Sequence, residues 1–166
     1  VDRTFKIWRG WGRELGQREM LEVQRDQMKD TLIWDIEQGI DLTGPEVGWA
    51  EVKRMELFQR MHKFMEHYEF LICPVSQVPP FDVKQRYITE INDVKMETFI
   101  DWMKSCYYIT ATGHPAISVP GGFTREGLPV GIQIVGRYRD DFGVLQLAHV
   151  FEQATQVWKQ RPAAAG

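Results

Sequence analysis

Cysteine is scarce in this chain, which has two such residues, Cys73 and Cys106, among 166. Secreted domains that rely on disulfides carry a far higher share. We therefore expect an intracellular, cytoplasmic protein with two reduced and largely buried thiols, although the pair would suffice for one disulfide. Neither cysteine has the electropositive sequence context of a reactive thiol.

Long hydrophobic runs and a large net charge are also missing. The longest apolar runs, at 70–73 and 116–119, are far shorter than the roughly 20 residues that span a bilayer. The formal charge is −3, from 20 basic and 23 acidic residues. We therefore expect neither a membrane nor a nucleic acid as a partner. The chain begins without Met or a secretory signal, which indicates a truncated or processed chain.

The sequence lacks the common arrangements of catalytic and metal-binding residues. The serines are Ser76, Ser105 and Ser118, and none stands in the G-x-S-x-G context of a nucleophile. His62 and His67 are five residues apart, so they do not share a helical face as metal ligands four apart would. We predict no metal, no cofactor and no catalytic residue here, with a triad of one serine and a distant His and Asp as the weaker alternative.

Acidic residues crowd between 90 and 101, and Glu97 and Asp101 are four apart in a segment that we predict to be helical. Such a pair could serve acid–base chemistry or hold a cation. The nearby Lys95 and Lys104 favour a solvated helix face instead, and this is our prediction.

Residues 1–69 are mainly helical in pattern. The clearest helix begins at Thr43, because Thr-Gly-Pro-Glu supplies a capping hydroxyl, a first-turn proline and a reciprocal carboxylate at Glu46. Apolar residues then follow at helical spacing, namely Ala50, Leu57, Phe58, Met61, Phe64, Met65 and Tyr68. We expect this stripe to be buried in the core; a binding groove is the alternative.

Residues 70–157 combine strands with helices. We first predict a buried strand at 70–73, a stiff proline loop at 74–81 and an irregular segment at 87–96 with a turn at Asn92-Asp93. A helix at about 96–112 should follow, and then strands at 116–123 and 129–136. The last predicted element is a helix capped by Asp140 or Asp141. The strand at 129–136 is apolar or small on both faces, so it should lie inside a covered sheet. Gly121-Gly122 predicts a bulge. Residues 158–166 read as a frayed tail.

Three segments of the second half carry a recognisable pattern: ATGHPAISVPGGF at 111–123, GLPVGIQIVGR at 127–137 and LQLAHVFEQA at 145–154. Together with residues 71–80 and 34–39, they resemble the C-terminal part of the amidase signature family. This family of serine amidohydrolases includes general amidases and the A-type subunit of glutamyl-tRNA amidotransferase. The resemblance implies an α/β fold, a mixed β-sheet surrounded by helices. Residues 1–166 would form the C-terminal portion of a single amidase domain.

The same resemblance implies an enzyme that hydrolyses small-molecule carboxylic amides to an acid and ammonia or amine. The family uses a Ser–cis-Ser–Lys triad in a Gly/Ser-rich region toward its N-terminal half, and no such motif occurs here. We therefore expect an inactive segment whose partner is the missing N-terminal catalytic portion. Without that portion, exposed apolar surface would favour a homodimer or aggregation.

The resemblance also implies a set of substrate-pocket residues. In relatives, the proline loop and the residues before the 111–123 segment line the pocket; by position these are Ser76, Gln77, Val78, Trp102, Met103, Cys106 and Tyr107. A packing role is the alternative for each of them. Their aromatic and thioether character favours an apolar or aryl amide over a charged glutamine.

Two other functions stay open at this stage. The chain would be a structural or interaction module if it kept the amidase scaffold without the chemistry. It would be an amidotransferase A-type subunit if it worked with partner subunits and tRNA. A stable monomer would favour the first, and a copurifying partner would favour the second.

Overall fold

The computed structural model describes residues 1–161, and the chain divides after Gln59 into two compact units. The α-helices are α1 (Asp2–Gln24), α2 (Asp30–Ile40), α3 (Gly44–Met65), α4 (Lys104–Thr112) and α5 (Asp141–Thr155). The β-strands are β1 (Phe70–Pro74), β2 (Glu90–Ile91), β3 (Val94–Lys95), β4 (Ala116–Phe123) and β5 (Pro129–Gly136). This composition confirms the predicted α/β class and the helical first third.

In the first unit, α1 and α2 pack closely enough to exclude a side chain between them. A Cβ atom at Gly39 would lie 2.2 Å from the carbonyl oxygen of Gly10, so only glycine fits without moving the helices. Beside this contact, the buried Asp35 carboxylate accepts hydrogen bonds from Arg9 Nε at 2.9 and 3.0 Å. The helix pair is thus held by close backbone packing and one largely buried ion pair.

The start of α3 carries the predicted capping box. The Glu46 carboxylate accepts a hydrogen bond from the Thr43 N–H at 3.0 Å, and the Glu46 N–H donates to the Thr43 hydroxyl at 3.4 Å. The hydrogen bonds from Thr43 lower the pKa of Glu46. Two positively charged groups lie over tryptophan rings of this unit: Arg3 over Trp49 and Arg54 over Trp8.

The predicted apolar stripe of α3 is buried only in part. Ala50 and Met65 are buried, whereas Phe64 and Tyr68 are 39% and 54% exposed and stack on each other with ring centroids 4.5 Å apart. The helix ends at Met65, so Tyr68 lies beyond it. The prediction of one continuous buried face was therefore wrong at the C-terminal end.

In the second unit, a three-stranded antiparallel sheet has the order β1-β5-β4. The strands predicted at 116–123 and 129–136 are confirmed, as is the strand that ends at Pro74. The ladder between β4 and β5 shifts register between Pro120 and Gly122, where Gly122 has a φ of 137°. This irregularity confirms the predicted bulge, because glycine tolerates that backbone conformation.

The central strand, β5, has both faces covered toward its C-terminal end, as predicted. On one face Ile134 packs with Val119 of β4 and Ala148 of α5. Asp140 caps α5, because its Oδ1 accepts a hydrogen bond from the Gly143 N–H at 3.1 Å. The prediction that β1 is buried was wrong: β1 is an edge of this sheet, and its Ile72 is 54% exposed.

The segment between the proline loop and α4 differs most from the prediction. Residues 87–96 contain a two-stranded hairpin, β2 and β3, whose turn at Asn92 and Asp93 has positive φ at both positions. The predicted helix at 96–112 is helical only from residue 101, since a 3₁₀ helix (Asp101–Met103) precedes α4. Asp101 is not solvated as predicted: it is 2% exposed and accepts a hydrogen bond from the Thr98 N–H at 2.7 Å. Glu97 is exposed and outside any helix.

A short 3₁₀ helix (Val157–Lys159) follows α5. The predicted tail from residue 162 onward lies outside the described residues. Among residues 1–161, no helix has the length and apolar character needed to cross a membrane.

Candidate functional site

One buried glutamine joins three elements on the sheet face opposite α5. Gln133 of β5 is 6% exposed, and its Nε2 donates to the Pro74 carbonyl of β1 and to the Ser105 carbonyl of α4, both at 3.0 Å. A buried amide needs such partners because leaving it without them costs free energy. Gln133 therefore fixes the start of the proline loop against the first turn of α4.

The first residues of the proline loop are held by further hydrogen bonds. The Val75 carbonyl oxygen accepts from the Ser105 hydroxyl and from the Cys106 thiol, both at 2.7 Å. The Gln77 side-chain oxygen accepts from the Lys104 N–H at 2.7 Å, at the first residue of α4. These contacts satisfy donors at the helix N-terminus and hold the loop in one conformation.

A cavity of about 710 Å³ opens beneath this loop, and we call it the proline-loop cavity. It is lined by the loop residues 74–81 together with Trp102, Ser118, Thr124 and the 129–132 part of β5. The rings of Phe81 and Trp102 meet edge to face, with centroids 5.4 Å apart and an interplanar angle of 86°. This volume lies within the range of small-molecule sites.

A second cavity of about 560 Å³ adjoins the first, and we call it the histidine cavity. Its polar lining residues include Cys106, His114, Gln133, Tyr138, Arg139 and Asp141. Val75 and Ser118 line both cavities, so the two are neighbours on one face of the sheet. The histidine cavity therefore carries charged and titratable side chains that the proline-loop cavity lacks.

His114 is the buried titratable group of the histidine cavity. Its Nδ1 lies 3.0 Å from the Thr112 carbonyl oxygen, and its ring meets that of Tyr138 with centroids 6.2 Å apart. Burial lowers the pKa of His114, the contact with Thr112 opposes this shift, and the charge of His62 adds to it. The net shift in pKa favours the neutral imidazole, and its Nδ1–H donates to Thr112 because a carbonyl oxygen can only accept.

The family model for amidases matches residues 14–145 of this chain. The chain belongs to the amidase family. An acylamidase from Rhodococcus erythropolis is 34% identical over 144 residues, which are 86% of this chain and 30% of that protein. The A-type subunit of the glutamyl-tRNA(Gln) amidotransferase from Thermodesulfovibrio yellowstonii is 35% identical over 120 residues, which are 68% of this chain and 22% of that protein.

Solved structures of amidase-signature enzymes share the fold. A bacterial aryl acylamidase of that family superposes with a TM-score of 0.71 at 24% identity, over 90% of this chain and 33% of that one. A 6-aminohexanoate cyclic dimer hydrolase superposes with a TM-score of 0.77 at 19% identity, over 98% of this chain and 37% of that one. The chain thus spans between 22% and 37% of the length of these relatives.

The predicted pocket residues of this chain fall into three groups. Ser76, Gln77, Val78 and Trp102 line the proline-loop cavity, and Cys106 lines the histidine cavity. Met103 and Tyr107 line neither of these two, and Tyr107 is a buried packing residue. Sequence reasoning did not name Phe81, His114 or Ser118 as pocket residues, although Phe81 belongs to the predicted proline loop at 74–81.

The two thiols are free, as predicted, but they are only partly buried where the sequence predicted largely buried thiols. Burial raises the pKa of Cys73, and the neighbouring Cys106 raises it further. A thiol with a raised pKa is a weak nucleophile at neutral pH, so Cys73 serves packing. Within residues 1–161, no three His, Cys, Asp or Glu side chains are grouped so that they could hold a metal ion.

Gln133→Leu should lower the free energy of unfolding by about 2 kcal/mol, because two partly buried carbonyls, those of Pro74 and Ser105, lose their donor. Urea unfolding measures the loss, and hydrogen exchange should show faster exchange at the Val75 amide. The matched control is Gln146→Leu on the exposed side of α5, which should change stability by less than about 0.5 kcal/mol. Equal effects of the two substitutions would contradict the role given to Gln133.

Proposed function

We propose that this chain supplies one wall of the substrate pocket of an amidase that hydrolyses carboxylic amides to an acid and ammonia or amine. The observation that carries the proposal is the preformed pair of cavities, built around Gln133 within the segment that the family model matches. The chain is 34% identical to an acylamidase over 86% of its length, and this similarity supports the same reaction class.

The nucleophile of this reaction lies outside the chain in our proposal. The Ser105 hydroxyl donates to the Val75 carbonyl, and the Ser76 hydroxyl accepts from the Val78 N–H, so both contribute to the loop structure. The family resemblance implies that catalysis is performed by a Ser–cis-Ser–Lys triad, which lies in the N-terminal half of the family's enzymes and has no counterpart in this chain. There the serine oxygen bonds to the acyl carbon while the C–N bond breaks and the amine leaves with a proton. Water then releases the acid and restores the serine.

The residues of this chain bind and orient the substrate. The apolar proline-loop cavity holds a substituent of the amide and removes it from water, which strengthens the polar contacts made nearby. The hydrogen bonds at Val75 and Gln133 keep the cavity in place before the substrate arrives, so less entropy is lost on binding.

We expect amide hydrolysis when the chain is joined to its catalytic portion and none from the 166-residue chain alone. The measurement is release of 4-nitroaniline from 4-nitroacetanilide, together with ammonia release from acetamide, benzamide and glutamine. Activity of the joined protein on any of these amides supports the proposal. A folded joined protein that is inactive on this panel and on matching esters contradicts it and leaves a non-catalytic scaffold module.

A second candidate is an amidotransferase A-type subunit, which the 35% identity with the Thermodesulfovibrio yellowstonii protein favours. The lining of the proline-loop cavity opposes it, because no charged side chain of residues 1–161 lines this cavity to pair with the charged groups of glutamine, and Arg139 and Asp141 line only the histidine cavity. Ammonia release from glutamine that requires copurifying subunits would favour this candidate. Release of aniline without any partner would favour the amidase.

A further inference from the structure

We propose that the proline-loop cavity is an aryl subsite, in which the aromatic ring of an amide substrate packs on Trp102 while its amide group points across Val75 and Ser118 toward the histidine cavity. The inference rests on the proposed function and adds its substrate class. It concerns the ligand preference of one cavity, and a binding experiment can measure that preference without any turnover.

The lining of the cavity selects an uncharged ring. Among the described residues, its walls consist of prolines, branched aliphatic residues, two aromatic rings and a few hydroxyl and amide groups, without any charged side chain. The Gln77 amide oxygen already accepts from the Lys104 N–H. A charged substituent placed here would lose its hydration without an ionic partner, whereas a ring gains apolar contact.

Trp102 provides the aromatic contact. It is half-buried, and Phe81 meets it edge to face, so an aromatic wall is already formed. A further ring in contact with this wall gains the preferred offset or edge-to-face geometry, a gain that a saturated ring of the same size lacks. The subsite should therefore distinguish aromatic from saturated rings of equal shape.

Gly131 leaves space free beside the two residues that both cavities share. A Cβ atom at Gly131 would lie 3.2 Å from both the Ser118 Oγ and the Val75 Cγ2, the two residues that line both cavities. With glycine at this position the space between them stays free. The amide group can then extend from the apolar cavity toward His114 and Arg139, which line the polar one.

The test compares acetanilide with N-cyclohexylacetamide by isothermal titration calorimetry of the 166-residue chain. We expect acetanilide to bind about 2- to 10-fold more tightly, which is the range that aromatic contacts provide. Trp102→Leu should remove this preference, and Trp102→Phe should retain it. The matched control, Trp158→Leu, changes an exposed tryptophan outside the cavity and should leave the preference intact. Near-UV circular dichroism verifies the fold of each variant.

Each outcome bears on the inference. Equal affinities for the two probes, or an aromatic preference that survives Trp102→Leu in a folded variant, would overturn it. A folded chain that binds neither probe would also overturn it and would indicate that the missing portion occupies the cavity. Amide hydrolysis by the joined protein without aromatic preference removes the aryl subsite and leaves the proposed function. An aromatic preference in binding without any hydrolysis by the joined protein keeps the aryl subsite and contradicts the proposed function.

Discussion

Ile134→Ala should lower the free energy of unfolding by about 3–4 kcal/mol, which would be the largest single effect in the second unit. Ile134 is fully buried in the central strand, between Ile72 of β1 and Ile117 of β4, and it packs with Val119 and Ala148. Removing three carbons leaves a cavity that the surrounding strands cannot close, because both neighbours are fixed by backbone ladders. The shift of the urea midpoint at constant m-value measures the loss.

The sheet itself offers a matched control for this substitution. Ile72 is the direct partner of Ile134 in the antiparallel register, yet it is 54% exposed because β1 is an edge. Ile72→Ala removes the same atoms and should cost about 1 kcal/mol or less, since most of them contact solvent in the folded state. If both substitutions destabilise the chain equally, the described burial of the sheet is wrong.

Asp35→Asn should destabilise the first unit by about 3 kcal/mol, since it leaves the guanidinium of Arg9 without a charged partner. The Asp35 side chain is 4% exposed and that of Arg9 is 25% exposed, so the charge on Arg9 is only partly hydrated. The asparagine keeps the shape of aspartate, which separates the loss of charge from a loss of packing. The helical signal at 222 nm, followed through thermal unfolding, reports the change.

A second ion pair on α2 provides the comparison. Arg25 and Glu37 approach to 2.6 Å, but their side chains are 56% and 40% exposed. Glu37→Gln should therefore change stability by less than about 1 kcal/mol, and added salt should remove most of that effect. An effect of Glu37→Gln as large as that of Asp35→Asn would mean that burial does not determine the strength of these pairs.

Local signals predicted most of the secondary structure correctly. The capping box at Thr43 and the cap at Asp140 define helix starts, because each side chain meets a backbone group within three residues. The strand limits at 116–123 and 129–136 follow from two short apolar segments and the intervening turn. Such features depend on neighbours in the sequence, so no knowledge of the tertiary fold is needed.

The errors arose where tertiary contacts decide. An apolar strand such as β1 can be central or at an edge, and only the pairing of strands determines which. Asp101 looks like a surface carboxylate in sequence, but its Oδ2 accepts a hydrogen bond from the Thr98 N–H in the backbone that precedes α4. The same limit applies to the site. The proline loop can be predicted from its own residues, but the hydrogen bond of Gln133 to Pro74 joins residues 59 positions apart, and no pattern of neighbouring residues indicates it.

Alternation along β5 separates two kinds of sequence change in this protein. Ile134 packs in the core with Ala148 of α5, while Gly131 lines the proline-loop cavity and Gln133 contacts α4 and lines the histidine cavity. A substitution at 131 can therefore alter which ligands fit without opening the core, and one at 134 can weaken the core without altering the cavity lining. A single strand thus lets ligand preference diverge during evolution while the fold is preserved.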